Sequence, residues 1–457
     1  MIPLPNDIAL TDDFIAQLDA CWFAGFAQLS GQHQQTLAQL GSIFAGSPLE
    51  TPLKNAIQSI TQGMYQPEHF QVLALARVAL QGAQFERLQE ALLKHLNRPL
   101  ESETSLSPAT IEPAQPVVKG AAYWLTDIAL RGFSRLETKE IAIIDSTLIQ
   151  LQNDPALMPL STLLYGFMDE LVGLVPTVDV NTIPLFRWVD LWCASMVMTT
   201  HHPPQPNPTP ISGELSLMGV EWRVQGRLIS AVFYGILTQD EGARWVQTTF
   251  STYKVTAIER DEARLLLPQT RPLLEALKAG TVLRLNQMPY LATGHLLWDE
   301  ASVSAGGSYK LADVAQTYLA VDAPSPLHST PVPPEKRHPV HLAIPIFLAG
   351  YSLNLVEHTT NEGTITAGEL TFPLEDRRVH QTELDPEELA KQAFVIGLLR
   401  YDDQQFTFHP IAAANKKGKP IFVGVGETLK LFEKPSNKST IALLQERASR
   451  LLREKNS

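Results

Sequence analysis

The hydrophobic pattern of this chain changes its period near residue 211, and that change restricts the folds open to it more than any other feature. Before residue 211, apolar residues recur every three or four positions, as at Phe14, Leu18 and Trp22, which predicts amphipathic helices. Beyond it, apolar and polar residues alternate, as in 351–355, which predicts half-buried strands. The sequence therefore predicts a multidomain α+β fold, in which a half of antiparallel helices precedes a sheet-rich, mostly antiparallel half.

Three stretches rich in proline and small polar residues divide the chain, at 101–116, 201–210 and 323–334. Their composition is typical of linkers and semi-rigid spacers. The predicted domains are therefore a helical block at 1–100, a second helical block at 117–200, an α+β block at 211–322 and a β-rich block at 335–457. In one alternative, the two helical blocks form a single domain.

Local signals predict where several elements begin and end. Thr11 is predicted to cap a helix that starts at Asp12, and Gly82 is predicted to divide the apolar run 66–96 into two helices. Turn-forming residues at 402–404 and 415–419 predict two hairpins in succession, and so a three-stranded meander over about 394–425. Ser439 or Thr440 is placed to cap an amphipathic C-terminal helix.

The formal net charge of -12 is unevenly distributed along the 457 residues. Residues 1–212 hold 20 acidic and 10 basic side chains, whereas residues 396–457 hold 11 basic and 6 acidic ones. An acidic body disfavours general binding to the phosphate backbone of nucleic acids, which depends on Lys and Arg. The basic end suits an acidic partner, which includes the front half of another copy.

The sequence favours a cytoplasmic protein. The N-terminal residues carry three aspartates within thirteen positions and no basic region, unlike a secretory signal. No uninterrupted apolar run reaches the roughly 18 residues of a membrane span, so no membrane partner is expected. The two cysteines, Cys21 and Cys193, lie in tryptophan-rich helical stripes, where we expect them to act as small hydrophobic residues.

The sequence lacks the compact motifs of known enzyme classes. It has no glycine-rich phosphate loop, no H-E-x-x-H zinc motif and no G-x-S-x-G nucleophile elbow. His338 and His341, placed in a strand, are predicted to point to opposite faces, because an odd offset reverses the side chain. No catalytic residue, metal site or cofactor is therefore assigned.

The tightest basic group is formed by Lys416, Lys417 and Lys419, at the tip of the second predicted hairpin. These three lysines are the candidate partner-binding residues, and a merely solvated turn is the alternative interpretation. Phe406 and Phe408 alternate with polar residues, so they are predicted to face the core rather than to stack on bases.

The sequence contains enough apolar residues for several hydrophobic cores and has stiff proline-rich spacers, but it shows no cluster of reactive residues. These features favour a non-catalytic interaction or adaptor subunit of a cytoplasmic multi-protein assembly. Its partners would be other proteins, with self-association as a further outcome. Two alternatives stay open. One is an enzyme with a dispersed site in the C-terminal half, in one version a metal-assisted hydrolase. The other is nucleic-acid binding through the basic C-terminal region.

Overall fold

A computed structural model describes most of the chain. The described residues are 4–98, 115–177, 179–200, 207–225, 228–254, 262–323, 325, 327–328, 332, 336–355, 363–374, 386–402 and 404–433. The predicted α+β class is confirmed, with helices in the N-terminal half and mixed, mostly antiparallel sheets in the C-terminal half. The last described element is a helix at Val425–Glu433, and the predicted helix near 440–452 lies outside the described residues.

The described N-terminal half is a packed set of helices. In chain order they are α1 (Asn6–Ala24), α2 (Gly31–Ile43), α3 (Glu50–Thr61), α4 (Pro67–His95), α5 (Pro116–Arg131), α6 (Thr138–Ile141), α7 (Asp145–Gln152), α8 (Met158–Leu174) and α9 (Leu185–Met198). Their apolar faces form one hydrophobic cluster, which runs from Phe14 to Met196. At its centre, the rings of Trp22, Phe26 and Trp192 pack edge to face, an arrangement that aromatic quadrupoles favour. We call these helices the helical body.

The helical body contains a repeated motif that sequence inspection missed. Gly25-Phe26 and Gly132-Phe133 each end a helix with a glycine at positive φ, followed by a short 3-10 turn and a capped helix. The two glycines meet: a Cβ on Gly132 would lie 2.3 Å from the backbone nitrogen of Gly25. Both positions therefore require glycine, because of the positive φ and because the two backbone segments approach each other so closely.

Two predicted helix boundaries are wrong. Helix α1 starts at Asn6 rather than Asp12, and the Thr11 hydroxyl donates to the carbonyl of Asp7 within the helix. Helix α4 runs unbroken through Gly82. A Cβ at Gly82 would contact the backbone oxygen of Arg337 at 3.6 Å, so this glycine marks a close approach of another segment rather than a helix end.

The strands between residues 209 and 308 form a closed barrel, which we call the first barrel. Its strands are β1 (Thr209–Gln225), β2 (Leu228–Gln239), β3 (Gly242–Tyr253), β4 (Thr281–Leu291) and β5 (His295–Leu296), with β6 (Val303–Ser308) added beside β4. The order β1–β2–β3–β5–β4 returns to β1, which pairs with both β2 and β4. Register shifts near Gly213 and Gly219 bend β1, which allows this one strand to pair with both β2 and β4.

Helix α10 (Arg271–Ala279) connects β3 to β4 and buries Leu273, Leu274 and Leu277 in the cluster of the first barrel. Gly280 ends this helix in a left-handed conformation, as is common for a glycine after a helix. Helix α11 (Leu311–Leu319) follows β6 and leads into the second group of strands.

The second group of strands repeats the same connectivity. Its strands are β7 (Ile344–Ala349), β8 (Ser352–Leu355), β9 (Gly363–Ala367), β10 (Leu370–Pro373), β11 (Phe394–Asp402), β12 (Gln405–Ala414) and β13 (Pro420–Phe422), with α12 (Pro386–Ala390) before β11 and α13 (Val425–Glu433) at the end. The strands β7 and β8 form one bent strand that pairs with β11 at one end and β9 at the other. A parallel bridge from Leu374, which follows β10, to Phe408 on β12 joins the remaining edges. The predicted meander is confirmed as β11–β12–β13.

A five-stranded Greek-key barrel, with one strand shared by two pairings and a helix between the third and fourth strands, has the OB-fold architecture. Both groups fit this architecture. In the first group, the third strand (β3) makes a parallel contact with the fifth (β5). In the second group, where β7 and β8 count as the first strand, the residue after the third strand (β10) makes a parallel contact with the fifth (β12). The described C-terminal half is thus a tandem of two OB-type barrels.

The three parts share buried faces. The second half of α4 contributes Phe85, Leu88 and Leu92 to the hydrophobic cluster of the second barrel. Ile396 and Leu398 of β11 belong to the cluster of the first barrel. The helical blocks at 4–98 and 115–200 also share one cluster. Most of each proline-rich stretch lies outside the described residues, so the domain boundaries stay a prediction. No described helix is both long and apolar enough to cross a membrane.

Candidate functional site

The outer face of the first barrel brings together polar and aromatic side chains from four strands. Register places Gly219, Tyr234, Gln247 and His295 in one row across β1, β2, β3 and β5. Side chains alternate along a strand, so Trp245 lies on the same face as Gln247. The Tyr234 and Trp245 rings stack at 5.6 Å with an interplanar angle of 17°. This outer face holds the candidate site.

A buried carboxylate organises one side of this face. Glu221 accepts hydrogen bonds from Arg223 at 2.8 Å, from the Tyr234 hydroxyl at 2.8 Å and from Arg400 of the second barrel at 2.7 Å. Burial alone would raise its pKa, but Arg400, His409 and Arg223 hold the pKa of Glu221 well below the usual range. This carboxylate therefore contacts two guanidinium groups as well as the Tyr234 hydroxyl.

The second barrel covers only part of the outer face. Arg400 reaches Glu221 from β11, and a Cβ at Gly219 would lie 3.0 Å from Ile411 of β12. These contacts occupy the β1–β2 side. On β3, Trp245 and Gln247 are half-buried, and Thr249, Ser251 and Tyr253 are exposed.

His338 and His341 lie together, which corrects the prediction that they point apart. His338 caps a 3-10 turn at Pro339–His341 and His341 is the last residue of that turn, so neither lies in a strand, and their ring centroids are 6.0 Å apart. His338 Nδ1 accepts a hydrogen bond from the backbone amide of Val340, which leaves Nε2 to face Asp190 Oδ2 at 3.1 Å. The segment between the two barrels is thereby attached to α9 of the helical body.

Behind this contact lies a fully buried guanidinium, that of Arg77. Its Nε and Nη2 donate to the two oxygens of Asp19 at 2.6 and 2.7 Å, and Nη1 donates to Asp190 at 2.6 Å. Burial raises the pKa of Asp19 to about 6 against the effect of Arg77. Burial would also raise the pKa of Asp190, but Arg77 and the hydrogen bond from His338 lower it to about 2. The Arg77 network thus connects α1, α4, α9 and the inter-barrel segment.

At the edge of the outer face, His295 follows the β4–β5 turn and contacts the amide nitrogen of Gln247 at 3.0 Å. Burial, and then the nearby cations Lys336 and Arg223, lower the pKa of His295 to about 4. His295 is therefore neutral at pH 7. Lys336 is exposed, and no carboxylate of the described residues lies within ion-pair distance of it.

The lowered pKa of His295 predicts a loss of stability in mild acid. The unfolded chain takes up a proton near pH 6.5 that the folded chain resists until about pH 4, so this contribution is complete above pH 6.5 and declines as the pH falls toward 4. Because the side chain is partly exposed, we expect the effect between pH 7 and 4.5 to be about 1–2 kcal/mol.

Denaturant unfolding of the native chain and of His295→Gln at both pH values measures this difference. The native chain should lose more stability than the variant. His95→Gln, at an exposed histidine of α4, is the matched control, and it should lose as much stability between the two pH values as the native chain does. Parallel losses in native protein and His295→Gln would contradict the assignment.

The structure places the residues that the sequence singled out, but it does not bring them into this site. Lys416, Lys417 and Lys419 are exposed in the β12–β13 turn, which the Asn415 side chain orders by accepting from two backbone amides. Their role in partner binding stays a prediction. Phe406 and Phe408 are buried, as predicted.

Both thiols are buried, and burial raises the pKa of Cys21 to about 12 and the pKa of Cys193 above the ordinary thiol range. Within the described ranges, no group of three or more His, Cys, Asp or Glu side chains is arranged to hold a metal ion.

Comparison with known proteins gives no family. No protein-family model matches the chain, and no curated protein matches it. A chain of a replication protein A heterotrimer bound to ssDNA is similar over 52% of this chain and 55% of its own length, with 9% sequence identity and a TM-score of 0.21. The match thus spans about half of that chain.

Proposed function

We propose that this chain is a non-catalytic adaptor subunit of a multi-protein assembly, and that helix α8 is the surface on which a partner protein docks. The observation that carries the proposal is that α8 exposes apolar side chains on the face opposite the one that it buries. One face supplies Leu160, Leu164, Phe167 and Leu171 to the core of the helical body. The opposite face is exposed in the described part of the chain.

The exposed face of α8 carries an apolar stripe. Met158, Tyr165 and Val172 are 50%, 37% and 43% exposed. They are seven residues apart, so they lie nearly above one another on the helix surface. Exposed apolar residues scattered singly need no explanation, but several of them in one row of a helix suit an interaction surface.

Two glycines beside this stripe strengthen the proposal. Gly166 and Gly173 lie on the same side of α8, and a Cβ at either position would meet no atom within 4 Å. Glycine inside a helix costs about 1 kcal/mol relative to alanine, and the packing among the described residues gains nothing from either glycine. A second helix that approaches the backbone closely would gain from both.

The surrounding charge indicates the chemistry of the partner. Residues 1–212, which include α8, contain twice as many acidic as basic side chains. We infer that the occupant is a helix of another protein, with an apolar face and basic flanks. The basic segment 434–457 of a second copy has the same general composition, so the experiment must separate these two occupants.

Gly166→Leu is expected to stabilise the isolated chain and to abolish docking. Leucine is a good helix former and finds open space, so the free energy of unfolding should rise by about 1 kcal/mol. The same side chain would hold a partner backbone away. Thermal unfolding and partner capture from the native host are the two measurements, and Gly31→Leu, at an open glycine of α2, is the matched control.

A photo-crosslinking residue at position 165, introduced into the full chain in its native host, identifies the occupant. We expect crosslinks to a different protein, lost in Gly166→Leu and absent when the crosslinker stands at Ile43, an exposed residue of α2. Crosslinks only to residues 434–457 of another copy would replace the adaptor with a self-assembling protein. No crosslink at position 165 would overturn the proposal.

A further inference from the structure

The helical body uses one arrangement of helices twice, in α1–α4 and again in α5–α9, which we call the first and the second unit. Gly132 follows Gly25 by 107 residues, and each glycine ends the first helix of its unit at positive φ. The same shift carries the connection before α3 onto the connection before α8. In each connection a side chain accepts a hydrogen bond from the backbone amide two residues later, Ser47 at 3.2 Å and Asp154 at 2.9 Å.

The two units bury side chains at the same positions. With the shift of 107 residues, buried apolar residues of the first unit fall on buried apolar residues of the second. The matched pairs include Leu37 with Ile144, Leu53 with Leu160, and Ile60 with Phe167. Self-similarity at one fixed distance, in backbone and in burial, is typical of a repeated structural unit.

The contact between the two units is reciprocal. A Cβ at Gly25 would lie 2.6 Å from the carbonyl carbon of Arg131, and a Cβ at Gly132 would lie 2.6 Å from the carbonyl carbon of Ala24. Ala24 and Arg131 are themselves counterparts under the shift. In an isologous dimer each surface meets its own equivalent in this way. The helical body thus resembles a homodimer contained in a single chain.

The outer surfaces of the two units differ where their cores agree. Met158 and Tyr165, which are exposed on α8, are the counterparts of Thr51 and Gln58, which are exposed on α3. All of α3 is described, and its leucine and isoleucine side chains are all buried. A helix in this place therefore folds without an apolar outer face. The apolar exterior of α8 is not a requirement of the fold.

The exposed apolar surface of the second unit also includes part of α7. Ile149 of α7 is 64% exposed, and its counterpart in the first unit is Ser42. The hydroxyl of Ser161 on α8 donates a hydrogen bond to the carbonyl of Leu148 at 3.4 Å. Helix α7 therefore lies directly beside α8, and its next residue, Ile149, can contact the same partner.

Charge separates the two units in the same region. Residues 145–174 hold four acidic side chains and no lysine, arginine or histidine. The counterpart region, 38–67, holds only Glu50 and Lys54 as charged residues, and these pair with each other at 2.6 Å. Acidic surroundings favour a partner with basic groups around its apolar contact. The second unit has this combination, and the first unit does not.

We propose that the helical body is a duplicated four-helix unit, and that only its second copy docks the partner protein, through α7 and α8. The docking element of the partner is a helix of another protein with an apolar face and basic flanks, held by two neighbouring helices. This inference rests on the docking surface proposed on α8, which it extends to α7. The first unit presents the same scaffold with a polar exterior.

Moving the exterior of α8 onto α3 tests the proposal in the full chain. The four substitutions give α3 the counterpart residues of α8; they are Thr51→Met, Lys54→Ser, Gln58→Tyr and Ser59→Gly. A photo-crosslinking residue stands at position 55 or at its counterpart, position 162, in the native host. Position 162 of the otherwise native chain should crosslink to another protein, and position 55 should not. The quadruple variant should raise the yield from position 55 by about tenfold or more, because two apolar side chains become available for burial.

A polar variant of α3 and an exchange of connections serve as controls. Thr51→Ser with Gln58→Asn should leave position 55 without crosslinks. Residues 154–160 placed at 47–53 keep both prolines and the buried leucine in position, so the unfolding temperature should stay within about 3 °C of the native value. Residues 155–161 placed there put a serine at buried position 53, which should lower it by about 6 °C or more.

The outcomes separate this inference from the docking proposal itself. Absence of crosslinks from positions 162 and 165, or crosslinks only to another copy of this chain, would overturn both. Crosslinks from position 162 with equal yield from position 55 of the native chain, or with no gain in the quadruple variant, would leave docking intact and overturn its restriction to the second unit. Equal losses for the two inserted segments would overturn the duplication.

Discussion

Replacing Gly132 by alanine is expected to lower the free energy of unfolding by about 3–5 kcal/mol, one of the two largest effects of a single substitution that the structure predicts. Two costs add up here. Gly132 has a φ of 82°, which L-residues other than glycine rarely adopt. The new Cβ would also lie 2.3 Å from the backbone nitrogen of Gly25, so α1 and α5 would have to separate.

Gly63→Ala isolates the first of these costs, that of the backbone conformation, and its difference from Gly132→Ala gives the second. Gly63 has a similar φ of 77°, but a Cβ there meets nothing within 4 Å, so the expected loss is about 1 kcal/mol. Chemical denaturation of both variants measures the difference. Gly25→Ala should behave like Gly132→Ala, because its Cβ would lie 2.4 Å from the carbonyl oxygen of Arg131. Equal losses for Gly63→Ala and Gly132→Ala would contradict the account.

The Gly25–Gly132 contact separates what the sequence of this chain can predict from what it cannot. The shared pattern, Gly-Phe followed by two residues and Leu, is visible in the sequence at 25–29 and 132–136. Its consequence is not visible, because nothing in a local pattern says that two distant glycines will meet. Helix and strand types followed from local periodicity, and the hairpins at 402–405 and 414–420 followed from turn residues.

Barrel closure depends on pairings between distant segments. The first barrel closes because bent β1 pairs with two partners, and because a single residue pair joins Gln247 to His295. Such contacts have no periodic signal. The same holds for the candidate site: Arg223, His295 and Lys336 come from separate segments of the chain, and each is unremarkable among its sequence neighbours. His338 and His341 were misjudged because Pro339 begins a 3-10 turn, so the alternation of a strand does not apply.

Replacing Arg77 by methionine is expected to destabilise the chain by about 3–5 kcal/mol at pH 8, because it leaves Asp19 without its partner in a buried position. The Arg77 side chain is fully buried, and that of Asp19 is 2% exposed. Arg77→Lys should recover only part of the loss, since an ammonium group cannot reproduce the fork that holds both oxygens of Asp19. Equilibrium unfolding in denaturant measures each variant.

The loss in Arg77→Met should shrink as the pH falls. The pKa of Asp19 is already raised to about 6 by burial, and removal of the guanidinium raises it further. A carboxyl whose folded pKa lies above its unfolded value gains stability as the pH drops through the folded pKa toward the unfolded one. Arg77→Met should therefore approach the native chain more closely at pH 5 than at pH 8, and a penalty independent of pH would show that Asp19 is not the group left unpaired.

A double variant separates lost packing from lost charge compensation. Arg77→Met combined with Asp19→Leu removes the buried pair, and replacing such a pair by apolar side chains is often neutral, so more than half of the single-variant loss should be recovered. Asp190, whose side chain is 23% exposed, keeps its contacts with His338 and Gln81. Hydrogen exchange of residues 336–341 should become faster in both variants, because His338 fastens that segment to the helical body through Asp190, and both variants lack the Arg77 guanidinium that holds Asp190 in place.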